Sequence, residues 1–128
     1  MNAKVTSGSR ILLGLLFTVF GLNGFLQFMP MPPLPEAAGQ FMGALGATGY
    51  FFPFLKVVEI ATGVLLLANR FVPLALLILA PIVVQIILFH GLMAPGGLVL
   101  PIIILIAGIL VAKGHWAQFT HVVQAKNN

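Results

Sequence analysis

The chain has 128 residues, 60% of them hydrophobic and 6% charged, with a formal net charge of +4. A soluble domain carries roughly 25% charged residues, so this composition excludes water as the main solvent and leaves no length for a separate soluble catalytic domain. The basic residues Lys4, Arg10, Lys56, Arg70, Lys113 and Lys126 are scattered singly, which argues against a nucleic-acid partner, and the lack of cysteine excludes disulfides, thiolate metal sites and dithiol exchange.

A hydrocarbon core of ~30 Å takes about 20 apolar residues per helical crossing, so residues 1–128 form one membrane domain with room for at most four or five spans. The first predicted span, 11–29, is longer than the ~7 to 15 residues of a signal-peptide core, and Met29, Pro30 and Met31 offer no small-residue cleavage site. It is expected to remain as a helix and to stop at Pro30, Pro32, Pro33 and Pro35, which cannot continue the ladder. Segment 34–48 has a helix start at Pro35 and Glu36 and an apolar stripe of Phe41, Met42 and Leu45. It is too short to cross and is expected at the interface or as a re-entrant piece.

The second span is predicted over 50–68, with Pro53 in its first turn and Tyr50, Phe51 and Phe52 at headgroup level. Asn69 and Arg70 make a tight turn into the third span, 71–89, where Pro73 is tolerable but the interior Pro81 predicts a kink. A loop from His90 to Gly97 leads to the fourth span, 98–112, with Pro101 near its start. Trp116 and Phe119 are expected to hold the tail against the interface before it frays, with His115 and His121 solvated. The fold class is therefore an all-α integral membrane four-helix bundle with a short interfacial helix between helices one and two. Lys4, Arg10, Arg70, Lys113 and Lys126 fall on one side of these spans and the opposite loops carry no lysine or arginine, so both termini are expected in the cytoplasm.

A charge inside hydrocarbon costs ~2.5 to 3.5 kcal/mol, so each polar residue in a span asks for a partner. Lys56 and Glu59 stand on one face of helix two, where they can pair, and Gly63 continues that stripe and leaves room for a neighbouring helix. Asn23 and Gln27 share a face of helix one, Gln85 follows Pro81 by one turn, and His90 closes helix three. At 1.5 Å per residue, Gln27, Asn23, Lys56, Glu59 and Gln85 all lie within ~14 Å of the outer helix ends, while the inner half has little beyond Thr18 and Thr62. Such a layer either glues helices together or lines a binding pocket, and both readings stay open. Haem would need two facing histidines where only His90 is near the membrane, and the outer-side methionines Met29, Met31, Met42 and Met93 are ordinary apolar filler before they are Cu(I) ligands. No metal site and no covalent cofactor are expected.

The stretch FLKVVEIATGVLLLANRFVPLALLILAPIVVQIILFH, Phe54 to His90, together with RILLGLLFTVFGLNGF, Arg10 to Phe25, resembles the DoxX-like family of small bacterial four-helix membrane proteins. The features that carry it are Lys56, Glu59 and Gly63, Arg70 in the turn, PLALLILAP from Pro73 to Pro81, and the Phe89–His90 ending. Asn23 stands close to where many members carry a lysine, so a basic residue in that helix is not carried over. The resemblance implies a bacterial inner (cytoplasmic) membrane location, and a role as an accessory or quinone-site subunit of a membrane oxidoreductase assembly. Quinone would then be the cofactor, the partners the lipid bilayer and other subunits or further copies, and Asn23, Gln27, Lys56, Glu59, Gln85 and His90 the binding set; no activity is expected of the chain alone. The rival reading is a purely structural subunit on a larger complex. A small-solute or proton-coupled carrier is disfavoured by the apolar inner half.

Overall fold

A computed structural model of the protein describes residues 2–28 and 33–125. Met29, Pro30, Met31, Pro32 and Lys126, on which the end of the first predicted span, part of the proline stop and part of the charge asymmetry rest, lie outside the described residues. Among the described residues the chain is all-helical: α1 (Ala3–Leu26), α2 (Glu36–Ala47), α3 (Phe51–Ala68), α4 (Val72–Met93), a 3-10 turn (Pro95–Gly97), α5 (Val99–Gly114) and α6 (Trp116–Val122).

Helix α1 begins well before the predicted Ile11, because the Asn2 side chain caps it by accepting the Lys4 N–H at 2.8 Å. Hydropathy marks where a helix enters hydrocarbon, not where it starts, and the first two turns run ahead of the apolar stretch. It also stops at Leu26, before the prolines: Gln27 takes a left-handed conformation, φ 51°, and its N–H closes on the Asn23 carbonyl at 2.9 Å. Thr48 joins α2 to α3, its hydroxyl donating to the Leu45 carbonyl at 2.7 Å and accepting the Phe51 N–H at 3.2 Å. After α3, Asn69 adopts φ 56° while its N–H bonds Leu66 and that of Arg70 bonds Leu65, the paired closure of a Schellman motif. Phe71, at φ 51°, holds a left-handed conformation that is unusual for an aromatic residue.

Helix α4 is continuous across Pro81 and passes the predicted end at Phe89, carrying His90 to Met93 inside the helix. What ends it is Pro95, since the residue before a proline avoids the helical region, and Ala94 sits accordingly at φ −146°. In the tail, α6 is a further short helix, bent 86° from α5, that runs on past Phe119, after which fraying was expected.

Helix α1 packs on α3 and α5, and α4 packs on the same two, with α2 lying against α3 and the far end of α4. The main core gathers Leu13 and Phe17 of α1, Leu66 of α3, Ala75 and Leu79 of α4 and Val111 of α5, and Phe119 of α6 completes it. A smaller cluster joins Ala38 of α2 to Phe89 and Ala94, with Met42 and Met93 as filler. Leucine, isoleucine and valine also cover the outside, as on Val84 (56% exposed) and Ile106 (52%). Helices apolar inside and out belong in lipid. Three of them, α1, α3 and α4, are long and apolar enough to cross a membrane, and α5 makes a fourth when counted with α6.

Candidate functional site

The polar layer is built where α1 meets α3. Residues Lys56, Ile60, Gly63 and Leu67 recur at helical spacing down one face of α3, and they meet Gly14, Gly21 and Gly24 of α1. A methyl group on Gly63 would stand 2.7 Å from the Thr18 nitrogen and 2.9 Å from the Gly14 carbonyl, so here backbone approaches backbone. One on Gly21 would stand 2.6 Å from Ile60 Cγ1 and 3.2 Å from the Lys56 carbonyl oxygen. At Gly24 the missing side chain leaves space filled by the Lys56 stem, whose Cδ would lie 2.7 Å from an added methyl. The Lys56 Nζ then donates to Glu59 Oε1 at 3.2 Å within α3.

Glu59 and Asn23 are buried, 5% and 8% exposed, while the Lys56 side chain keeps 23% of its surface. The carboxylate therefore sits inside with its counter-ion reaching from the rim, and the pair is locked against α1 by the glycine beneath the lysine stem. Below it, the Thr62 hydroxyl donates to the Val58 carbonyl at 2.7 Å. The Thr18 hydroxyl is buried with no hydrogen-bond partner among the described residues.

The other predicted members lie elsewhere. Gln27 is exposed at the C-terminal cap of α1, outside the helix that was expected to hold it. Gln85 is exposed on α4, whereas Glu59 is buried. His90 is half-buried, its Nδ1 donating to the Ile86 carbonyl at 2.8 Å and its ring edge-on to Phe89 with centroids 5.1 Å apart. An added methyl on Gly97 would stand 3.0 Å from its Cδ2, so the 3-10 turn covers this imidazole. Phe89 in turn stacks on Phe41 of α2, centroids 5.9 Å apart. The structure thus brings Lys56 and Glu59 to the α1–α3 seam, buries Asn23 on α1, and places Gln27, Gln85 and His90 in other surroundings.

Two contributions escaped the sequence reading. The glycines at 14, 21 and 24 are the counterpart of Gly63, and their spacing of seven and three, which keeps one helix face, was the available signal. Arg10 is half-buried and its Nη1 donates to the carbonyl of Leu66 and, at 3.3 Å, to that of Leu67, so a residue expected only to mark topology closes the end of α3. No family model, curated protein or solved structure matches the chain.

Proposed function

We propose that this protein is a small accessory subunit of a bacterial inner-membrane assembly, DoxX-like in kind, whose buried polar layer fastens its own helices and whose α4 surface meets a neighbouring subunit. In this reading α1, α3, α4 and α5 are the four spans of a bundle, α2 lies at the outer interface, and both termini are cytoplasmic. The observation that carries it is Gln85. Its amide lies ~12 Å inside the Met93 end of α4, on a face otherwise made of exposed Leu77, Val84 and Leu88. A primary amide facing hydrocarbon forfeits its hydrogen bonds, whereas against a second transmembrane surface it gains them.

A quinone site assembled from Gln85 and Glu59 together lacks that support, because one faces outward and the other is buried beside Lys56. The oxidoreductase character of the assembly accordingly rests on the resemblance alone. The test is purification of tagged protein from native membranes in a mild detergent, followed by mass spectrometry of whatever accompanies it. A stoichiometric membrane protein, or a further copy of this chain, should co-purify and be lost by at least tenfold in Gln85→Leu while the melting temperature stays put. Recovery of a bare monomer, or full retention of the partner by Gln85→Leu, overturns the reading.

A further inference from the structure

At the end of the molecule opposite α2, the first turns of α1 and the last residues of α3 and α5 enclose a cleft of about 380 Å³ lined by Thr6, Ser7, Arg10, Asn69, Lys113 and His115. We propose that this cleft is a phosphate-anion site, filled in the membrane by the headgroup of an anionic phospholipid. The proposal does not depend on the accessory-subunit reading.

Thr6, Ser7, Arg10, Asn69 and Lys113 in the lining can each donate a hydrogen bond, and two of them carry fixed positive charge. The chain has two acidic side chains, and neither is available here: Glu59 is engaged by Lys56, and Glu36 opens α2 at the far end, where Gln40 donates to it at 3.5 Å. Among the described residues Arg10 and Lys113 therefore have no carboxylate beside them, which leaves both charges open to an anionic ligand.

Carbonyl ends of helices repel anions, and two such ends face this cleft, from α3 and α5. Both are already covered. Arg10 places Nη1 on the carbonyls of Leu66 and Leu67, which leaves its Nε and Nη2 hydrogens for a ligand, and His115 donates Nδ1 to the Val111 carbonyl at 3.0 Å. Gly114 allows the approach, since an added methyl there would stand 2.6 Å from the Thr6 hydroxyl. The absent side chain thus brings Lys113 and His115 up against α1.

The lipid form of the anion is favoured by the surroundings in the chain. Trp116 follows His115 and is 60% exposed, and Phe71, two residues after Asn69, is 69% exposed. Exposed aromatic rings at the end of apolar helices sit at headgroup depth, where a basic pocket between helices meets lipid phosphates.

Trp116 is the only tryptophan in the chain and adjoins the lining, so its fluorescence reports on the cleft. Full-length protein in zwitterionic detergent at low salt would be titrated with short-chain phosphatidylglycerol, short-chain phosphatidylcholine and inorganic phosphate. Phosphatidylglycerol should give a saturable change at concentrations at least tenfold below those needed for phosphatidylcholine. Lys113→Gln, at an exposed position, should weaken that binding about fivefold. Lys4→Gln, outside the lining, should change it less than twofold. Saturation by inorganic phosphate with no competition from phosphatidylglycerol would keep the phosphate site and assign it to a free anion. Equal affinity for the two lipids, equal effects of the two lysine variants, or no response to any of the three titrants would overturn the proposal.

Discussion

Replacing Gly63 by alanine should loosen the protein more than any other single methyl added to its helices outside α1. The new carbon would lie 2.7 Å from the Thr18 nitrogen and 2.9 Å from the Gly14 oxygen, against an ordinary contact of 3.4 Å or more, so α1 and α3 must part by about 0.7 Å. A radial gap of ~0.5 to 1 Å forfeits a quarter to a half of each dispersion contact along the seam, and forced overpacking of this kind costs ~1 to 3 kcal/mol. The control is Gly108→Ala on α5, where an added methyl meets nothing within 4 Å and helix propensity alone predicts a change of up to ~1 kcal/mol in the stabilising direction. Thr18→Ala in the same chain as Gly63→Ala should not rescue it, because the closest fixed atoms belong to the α1 backbone. The assay is thermal unfolding in detergent, followed by Trp116 fluorescence and by circular dichroism. A melting temperature for Gly63→Ala equal to that of Gly108→Ala, or full rescue by Thr18→Ala, would refute the close-contact argument.

The Lys56–Glu59 pair predicts an asymmetric double-mutant cycle, since removing one partner of a buried pair costs ~3 to 5 kcal/mol and the stranded carboxylate is the more deeply buried of the two. Lys56→Leu should therefore lower the melting temperature more than Glu59→Leu, whose remaining lysine can extend toward the rim, and the double variant should recover most of the loss; strictly additive effects would show the pair to be uncoupled. Single cysteines at Lys4 and Lys126 should stay unlabelled by an impermeant thiol reagent in intact cells while one at Leu34 reacts, and labelling at 126 without permeabilisation would sink the arrangement of four spans with cytoplasmic termini.

A polar residue in a transmembrane stretch announces a need for a partner without saying where the partner is, and this chain contains each possible answer. Lys56 finds its partner one turn away in its own helix. His90 finds the carbonyl of Ile86. Arg10 reaches across to the end of another helix, and Gln85 turns outward. Spacing along one helix covers only the first two kinds, because the other two depend on how the helices are rotated about their axes.

That division describes what was legible. The apolar runs and prolines were enough to place four long helical segments and the short α2 to within a few residues at most ends, because hydropathy and the missing proline N–H act locally. The Lys56–Glu59 pairing was equally local, being a matter of helical pitch. The helix ends that differed, at Asn2, Gln27 and Met93, were decided by caps and by left-handed or pre-proline backbone that hydropathy does not register. Only the tertiary structure decided that Gly14, Gly21 and Gly24 oppose Gly63, that Arg10 closes α3, and that Gln85 and Glu59 do not share a surface. In a chain whose helices are apolar on every side, the hydrophobic pattern no longer tells the inside from the outside, and the rotation of each helix is set instead by close contact between small residues and by the few polar groups that must be satisfied.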